Sequence, residues 1–244
     1  MTRLREAWYI GVWDSLPLLR DPMVLFILSL ISFLPVFFLF LFSGGQAALP
    51  ALVGAVVLSL AFVGMGVAQS VYFNKHWFRF QDILVASPVS PLSYAFGLAL
   101  STLIAASPAL VLSFGILLLS KPIGPLAFLL VIAVSLLMWL AMVFVGYVIG
   151  LTTKNTRRAN SIPQVLGFLL GFLPPVYYPV SLLPGFLQPV AMLVPSTHAA
   201  QLAKFYFGMI PLSSTEIVIG WVYLVAFVAL MAALTLRKAR WVDP

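Results

Sequence analysis

Charged residues are missing from five long stretches of this chain, and their spacing constrains the fold more than any other feature. Residues 22–74 run for 53 positions without Asp, Glu, Lys or Arg; 83–120 run for 38, 122–153 for 32, 159–203 for 45 and 217–236 for 20. A helix rises about 1.5 Å per residue, so about 20 apolar residues cross the roughly 30 Å hydrocarbon core of a bilayer. A charge at the centre of such a helix costs roughly 2.5–3.5 kcal/mol. Gly44-Gly45-Gln46 divides the first stretch into two spans, and Ser87-Pro88 with Ser90-Pro91 reads as a turn at the head of the second. The expected spans lie at about 22–42, 47–73, 93–119, 125–151, 161–178 and 216–236. The predicted fold is an all-α polytopic membrane protein of six transmembrane helices, one domain over 1–244.

Composition removes the other broad classes. The chain is 63% hydrophobic and 8% charged, against about 45–50% and about 25% in a soluble domain. So few charges cannot cover a water-soluble surface, which excludes a soluble enzyme. The hydrophobicity excludes a disordered chain. The net charge is +7, but the bases are scattered between apolar runs, a pattern of membrane topology and not of nucleic-acid binding. With no cysteine there is no disulfide, thiol nucleophile or thiolate metal site.

Alternating sides along the six spans places Arg3, Arg5, Arg20, Lys75, Arg79, Lys154, Arg157, Arg158, Arg237, Lys238 and Arg240 together, and leaves Lys121 and Lys204 opposite. Eleven basic residues of 13 on one side put both termini in the cytoplasm of a multi-pass protein of the cell membrane. The apolar run at 23–42 is longer than a signal-peptide core and no A-x-A site closely follows it. No internal repeat is visible, which argues against a secondary transporter built from inverted repeats.

Three segments are not spans. In 1–20, Leu4, Trp8, Val12 and Leu16 recur at i+4 beside Tyr9 and Trp13, with Arg3, Glu6 and Asp14 elsewhere; this predicts an amphipathic helix along the cytoplasmic surface. In 74–91, Trp77, Phe80, Ile83 and Leu84 share one helical face while Lys75, Arg79 and Asp82 lie mainly off it, before Ser87-Pro88 stops the helix. Such a helix between two spans suits a cytoplasmic partner; the plainer alternative is a membrane-surface helix without one. Residues 161–207 carry Pro163, Pro174, Pro175, Pro179, Pro184, Pro189 and Pro195. No regular helix runs through that spacing, and irregular backbone at membrane depth must be covered by protein or water. The expectation is a re-entrant helical element over 179–207, between spans five and six.

Chemistry is sparse. No ionisable residue falls near the centre of a span, where proton relays and ion sites would place one. His76 and His198 are isolated, so no metal site is expected. Ser59, Ser101 and Ser135 show no partnered base, and no lysine follows a glycine, so there is no Walker A motif. The pairs Gly146/Gly150 and Gly167/Gly171 allow close helix approach, within one chain or between two. The result is a membrane pathway without an energy source of its own. A passive channel or ion-coupled carrier would need a polar lining or an intramembrane carboxylate, and an intramembrane enzyme would need a catalytic set.

Two stretches carry a family resemblance: Asp82-Ile83-Leu84 with Ser87-Pro88-Val89-Ser90, and Pro179-Val180-Ser181-Leu182-Leu183-Pro184-Gly185-Phe186-Leu187 followed by Pro189 and Val194-Pro195-Ser196-Thr197-His198. With the surface helix and six spans, the chain resembles the membrane subunit of ABC-2-type transporters. It departs from the family pattern at Val194, where Asn is frequent, and at Arg79-Phe80-Gln81, which replace Glu and Gly-Thr. The resemblance implies a permease half that pairs with a second copy or a close paralogue and with separate ATP-binding subunits. ATP and magnesium would reside in those subunits, with no cofactor or catalytic residue in this chain. It further implies a coupling helix using Lys75, Trp77, Phe80, Asp82, Ile83, Leu84, Ser87 and Pro88, and an extracellular gate at Pro174, Pro175, Pro179, Leu183, Pro184 and Pro195. Export is the direction it implies; membrane lipid, and no nucleic acid, completes the expected surroundings. Uncharged spans favour a hydrophobic or amphipathic cargo.

Overall fold

The computed structural model describes residues 2–43, 45, 47–76, 89 and 91–238, and every regular element among them is helical. In chain order these are α1 (Thr2–Arg20), α2 (Pro22–Ser43), α3 (Ala48–His76), α4 (Pro91–Ser120), α5 (Pro125–Thr152), α6 (Thr156–Phe172), a 3₁₀ turn (Val180–Leu182), α7 (Gln188–Met192), α8 (Pro195–Tyr206) and α9 (Ser214–Lys238). Helices α3, α4, α5 and α9 have the length and apolarity to cross a membrane. The 22-residue α2 contains no charge.

Local chemistry sets the helix ends. Asp21 Oδ1 accepts from the Met23 and Val24 amides at 2.9 and 3.4 Å, capping α2 just ahead of its proline start. Asn155 caps α6 in the same way through the Arg157 amide at 2.8 Å. Ser213 and Glu216 cap α9 reciprocally: the Ser213 amide reaches Glu216 Oε2 at 2.7 Å and the Glu216 amide reaches Ser213 Oγ at 3.2 Å.

Helix α3 is the axis of the molecule. It is buried along most of its length, with Leu58, Val67 and Met65 sealed inside. Both small-residue pairs seen in the sequence face it from within the same chain. A Cβ at Gly146 would fall 3.0 Å from the Met65 carbonyl oxygen, and one at Gly150 2.7 Å from that of Ala68. On α6, a Cβ at Gly171 would fall 2.8 Å from Leu58 Cδ1. Glycine lets these backbones touch, and close van der Waals contact is what joins helices in an apolar solvent. Helix α9 stands at the periphery, anchored by the fully buried Leu224.

Two expectations change. Helix α6 begins at Thr156 and ends at Phe172, so residues 173–178 of the expected fifth span lie outside it. Leu173 precedes Pro174-Pro175, and that sequence disfavours helical backbone and removes two amide donors. At 17 residues α6 is about 26 Å long, short of the hydrocarbon thickness. Helix α1, expected to rest on its apolar face, instead packs on α4 through a stripe of small residues, Ala7, Gly11 and Ser15. Gly97 of α4 meets it so closely that a Cβ there would fall 2.6 Å from Ile10 Cβ. Leu4 and Trp8 point outward, 82% and 55% exposed.

Candidate functional site

A cavity of about 490 Å³ opens between α2, α3 and α6. Leu34, Pro35, Phe38 and Leu39 line it from α2, Phe62 from α3, Phe168 and Phe172 from α6, and Tyr177 and Tyr178 from the segment after α6. Phe168 and Phe172, one turn apart, stack with centroids 4.8 Å apart. Pro174-Pro175 are both buried and fold the chain back so that Tyr177 lies on α3. Gly54 makes room for it: a Cβ there would fall 2.7 Å from Tyr177 Cδ1. The Tyr177 hydroxyl is buried and, among the described residues, has no hydrogen-bond partner. An unpaired buried hydroxyl costs about 1–3 kcal/mol and calls for an explanation.

The proline-marked segment is held at its base and exposed at its tip. Of the expected gate residues, Pro174, Pro175 and Pro195 are buried, Leu183 is half-buried, and Pro179 and Pro184 are exposed. The run Ser196-Thr197-His198 locks the base through neighbouring carbonyls. Ser196 Oγ donates to the Leu170 carbonyl of α6, Thr197 Oγ1 to that of Ala191 at 2.6 Å, and His198 Nε2 lies 2.8 Å from that of Met192. Lys121 reaches across to the Gly208 carbonyl at 2.7 Å, just past α8, where Gly208 takes the left-handed conformation (φ 62°) that ends a helix. Lys204, expected at an outer surface, is buried in α8.

Ser101, read from sequence as lacking a partnered base, donates to Asp14 Oδ2 at 2.6 Å. The stripe of small residues on α1 brings these two side chains together across 87 positions of sequence. Burial lifts the Asp14 carboxyl above the usual carboxylate range, and the Ser101 hydrogen bond pulls it part of the way back. Asp14 also borders a second cavity of about 650 Å³, with Tyr9, Trp13, Asn74 and Tyr94. No sequence motif announced this site, although an acid beside Trp13 on an interfacial helix was its one visible trace. Among the described residues no group of three or more His, Asp or Glu could hold a metal ion.

Of the expected coupling residues, Lys75 lies in the last turn of α3. Trp77, Phe80, Asp82, Ile83, Leu84, Ser87 and Pro88 fall outside the described residues. Helices α3 and α4, which bracket that segment, pack directly on one another.

The family model for the ABC-2 type transporter matches residues 8–207. The chain belongs to the ABC-2 type transporter family. The match runs from α1 to the end of α8, and so takes in the α1–α4 contact, the apolar cavity and the proline-marked segment. A comparison with curated proteins found no match. Membership of the ABC-2 family, with several long apolar helices, makes this a multi-pass integral membrane protein of a transport family whose membrane subunits normally work with an ATP-binding subunit.

Proposed function

We propose that this chain is the permease half of an ATP-driven exporter of hydrophobic or amphipathic cargo. Two copies, or this chain and a close paralogue, would enclose the pathway, and two separate subunits would bind ATP and magnesium. The observation that carries the reading is the family match over residues 8–207. In this reading α2, α3, α4, α5, α6 and α9 are the six spans, α6 being completed on the outer side by the 179–207 element, which enters the membrane and returns. The aromatic cavity between α2 and α6, walled by the rings of Phe168, Phe172, Tyr177 and Tyr178, is where cargo meets the chain.

Two expected results test this. Tyr177→Phe removes an unpaired buried hydroxyl, so the thermal midpoint of the purified protein should rise, by a stabilisation of about 1 kcal/mol. ATP-driven accumulation of an amphipathic fluorescent cargo in inside-out vesicles containing the ATP-binding partner should fall several-fold in Phe172→Ala, which removes a ring from the cavity wall. Accumulation that equals wild type in Phe172→Ala would remove the cavity from the pathway. Topology is tested separately, because the chain has no native cysteine. Pro122→Cys, exposed in the α4–α5 turn, should react with a membrane-impermeant maleimide on intact cells. Arg157→Cys, exposed at the start of α6, should react only after permeabilisation. The reverse pattern would invert the orientation.

A further inference from the structure

We propose that the cavity between α1, the end of α3 and the start of α4 binds an organic ammonium group, supplied by the headgroup of a zwitterionic phospholipid. The proposal rests on the reading of α1 as a membrane-surface helix, and is independent of cargo and of the ATP-binding partner.

The cavity is about 650 Å³ and brings three aromatic rings, Tyr9, Trp13 and Tyr94, around one carboxylate, Asp14. Aromatic faces attract cations through their quadrupole, Trp most strongly, and rings grouped around a small space are the usual means of holding a quaternary ammonium. Asp14 adds the countercharge. It is half-buried, its Oδ2 is held by Ser101 at 2.6 Å, and among the described residues no cation pairs with it. A carboxylate fixed in place in an aromatic pocket, with no counter-ion among the described residues, is unfavourable alone and favourable with an ammonium beside it. The far wall is set in place: Tyr94 is buried and lines the cavity with Asn74 and Leu98.

Neighbouring groups select the source. Arg5 lies over the Tyr9 ring, its Cζ 5.5 Å from the centroid, and donates to the Tyr9 hydroxyl at 3.4 Å. A free amine would be repelled by that guanidinium, whereas a headgroup carrying both charges offers it a phosphate, the partner whose geometry suits arginine. Trp13 is 78% exposed and Leu4 82%, so the same helix presents aromatic and apolar surface at the level where headgroups meet acyl chains.

Native mass spectrometry of the detergent-purified full-length chain tests this with phosphatidylcholine, phosphatidylethanolamine and phosphatidylglycerol of identical acyl chains, and with tetramethylammonium chloride. The two ammonium lipids should be retained about tenfold more tightly than phosphatidylglycerol, and Asp14→Asn and Trp13→Leu should each erase that preference. Trp13 packs little, so Trp13→Leu decides the matter should Asp14→Asn fail to fold. Tetramethylammonium binding as tightly as the lipids would keep the ammonium site and overturn the lipid as its source. Equal retention of all three lipids by wild type, or an undiminished preference in a folded Trp13→Leu, would overturn the site itself. Transport does not enter the readout, so failure here leaves the permease reading standing.

Discussion

Gly150→Ala should strongly reduce the amount of folded protein in the membrane, while Gly66→Ala should leave it unchanged or slightly raised. Both substitutions add one methyl group to a spanning helix. At Gly150 the new Cβ would sit 2.7 Å from the Ala68 carbonyl oxygen and 2.9 Å from Val71 Cβ. The first of those is backbone, so relief requires α5 to move away from α3 as a body. Overpacking of this kind costs about 1–3 kcal/mol, and Gly150→Leu exceeds it. At Gly66 nothing among the described residues lies within 4 Å of the added carbon, and alanine gains up to about 1 kcal/mol over glycine in a helix interior. Thermal midpoints in detergent, read by fluorescence-detected size exclusion, should move in opposite directions. Equal midpoints for the two variants would mean that α3 and α5 are not in backbone contact.

The second large effect belongs to the segment between α3 and α4. Phe80→Ala or Leu84→Ala should weaken association with the ATP-binding subunit by roughly 30-fold, the equivalent of about 2 kcal/mol for a buried anchor. Asp82→Arg should weaken it through charge reversal. The physical reason lies in what the segment is attached to. Helix α3 is the buried axis on which α5 and α6 pack through glycines. A displacement of the end of α3 at His76 is therefore passed to the centre of the bundle. Insertion should be normal in all three variants, because none lies in an expected span. Three variants with wild-type association and wild-type coupling of hydrolysis to transport would place the contact elsewhere, with α1 the next surface to test.

The long apolar helices α3, α4, α5 and α9 were legible because burial in lipid requires long runs without charge, and such runs can be read directly. The end of α6 was nearly as legible, since two successive prolines, Pro174-Pro175, disfavour helical backbone; the helix ends at Phe172, and residues 173–178 of the expected span lie beyond it. The glycine pairs announced close approach but not the partner, because the sequence of α5 does not say which helix it touches. The inward face of α1 was hidden for a different reason. Hydrophobic periodicity finds the face with the largest apolar groups, and Leu4 and Trp8 face outward. The packed face is instead Ala7, Gly11 and Ser15, where smallness allows contact with Gly97. The Asp14–Ser101 pair then follows from that contact, and no local pattern encodes a meeting across 87 positions. The carbonyl contacts of Ser196, Thr197 and His198 were similarly invisible, because each partner is a backbone atom whose position depends on the turns before it.

As proposed, this chain would be the membrane half of a machine powered by a separate subunit. Affinity purification of the tagged chain from its native membrane, followed by native mass spectrometry and an ATPase assay, tests that directly. The predicted result is a complex of two permease chains with two copies of a Walker-motif ATPase, hydrolysing ATP and losing that activity when the ATPase lysine is replaced. A chain that purifies without any nucleotide-binding subunit, and that by itself passes solute across liposome membranes without ATP, would contradict it.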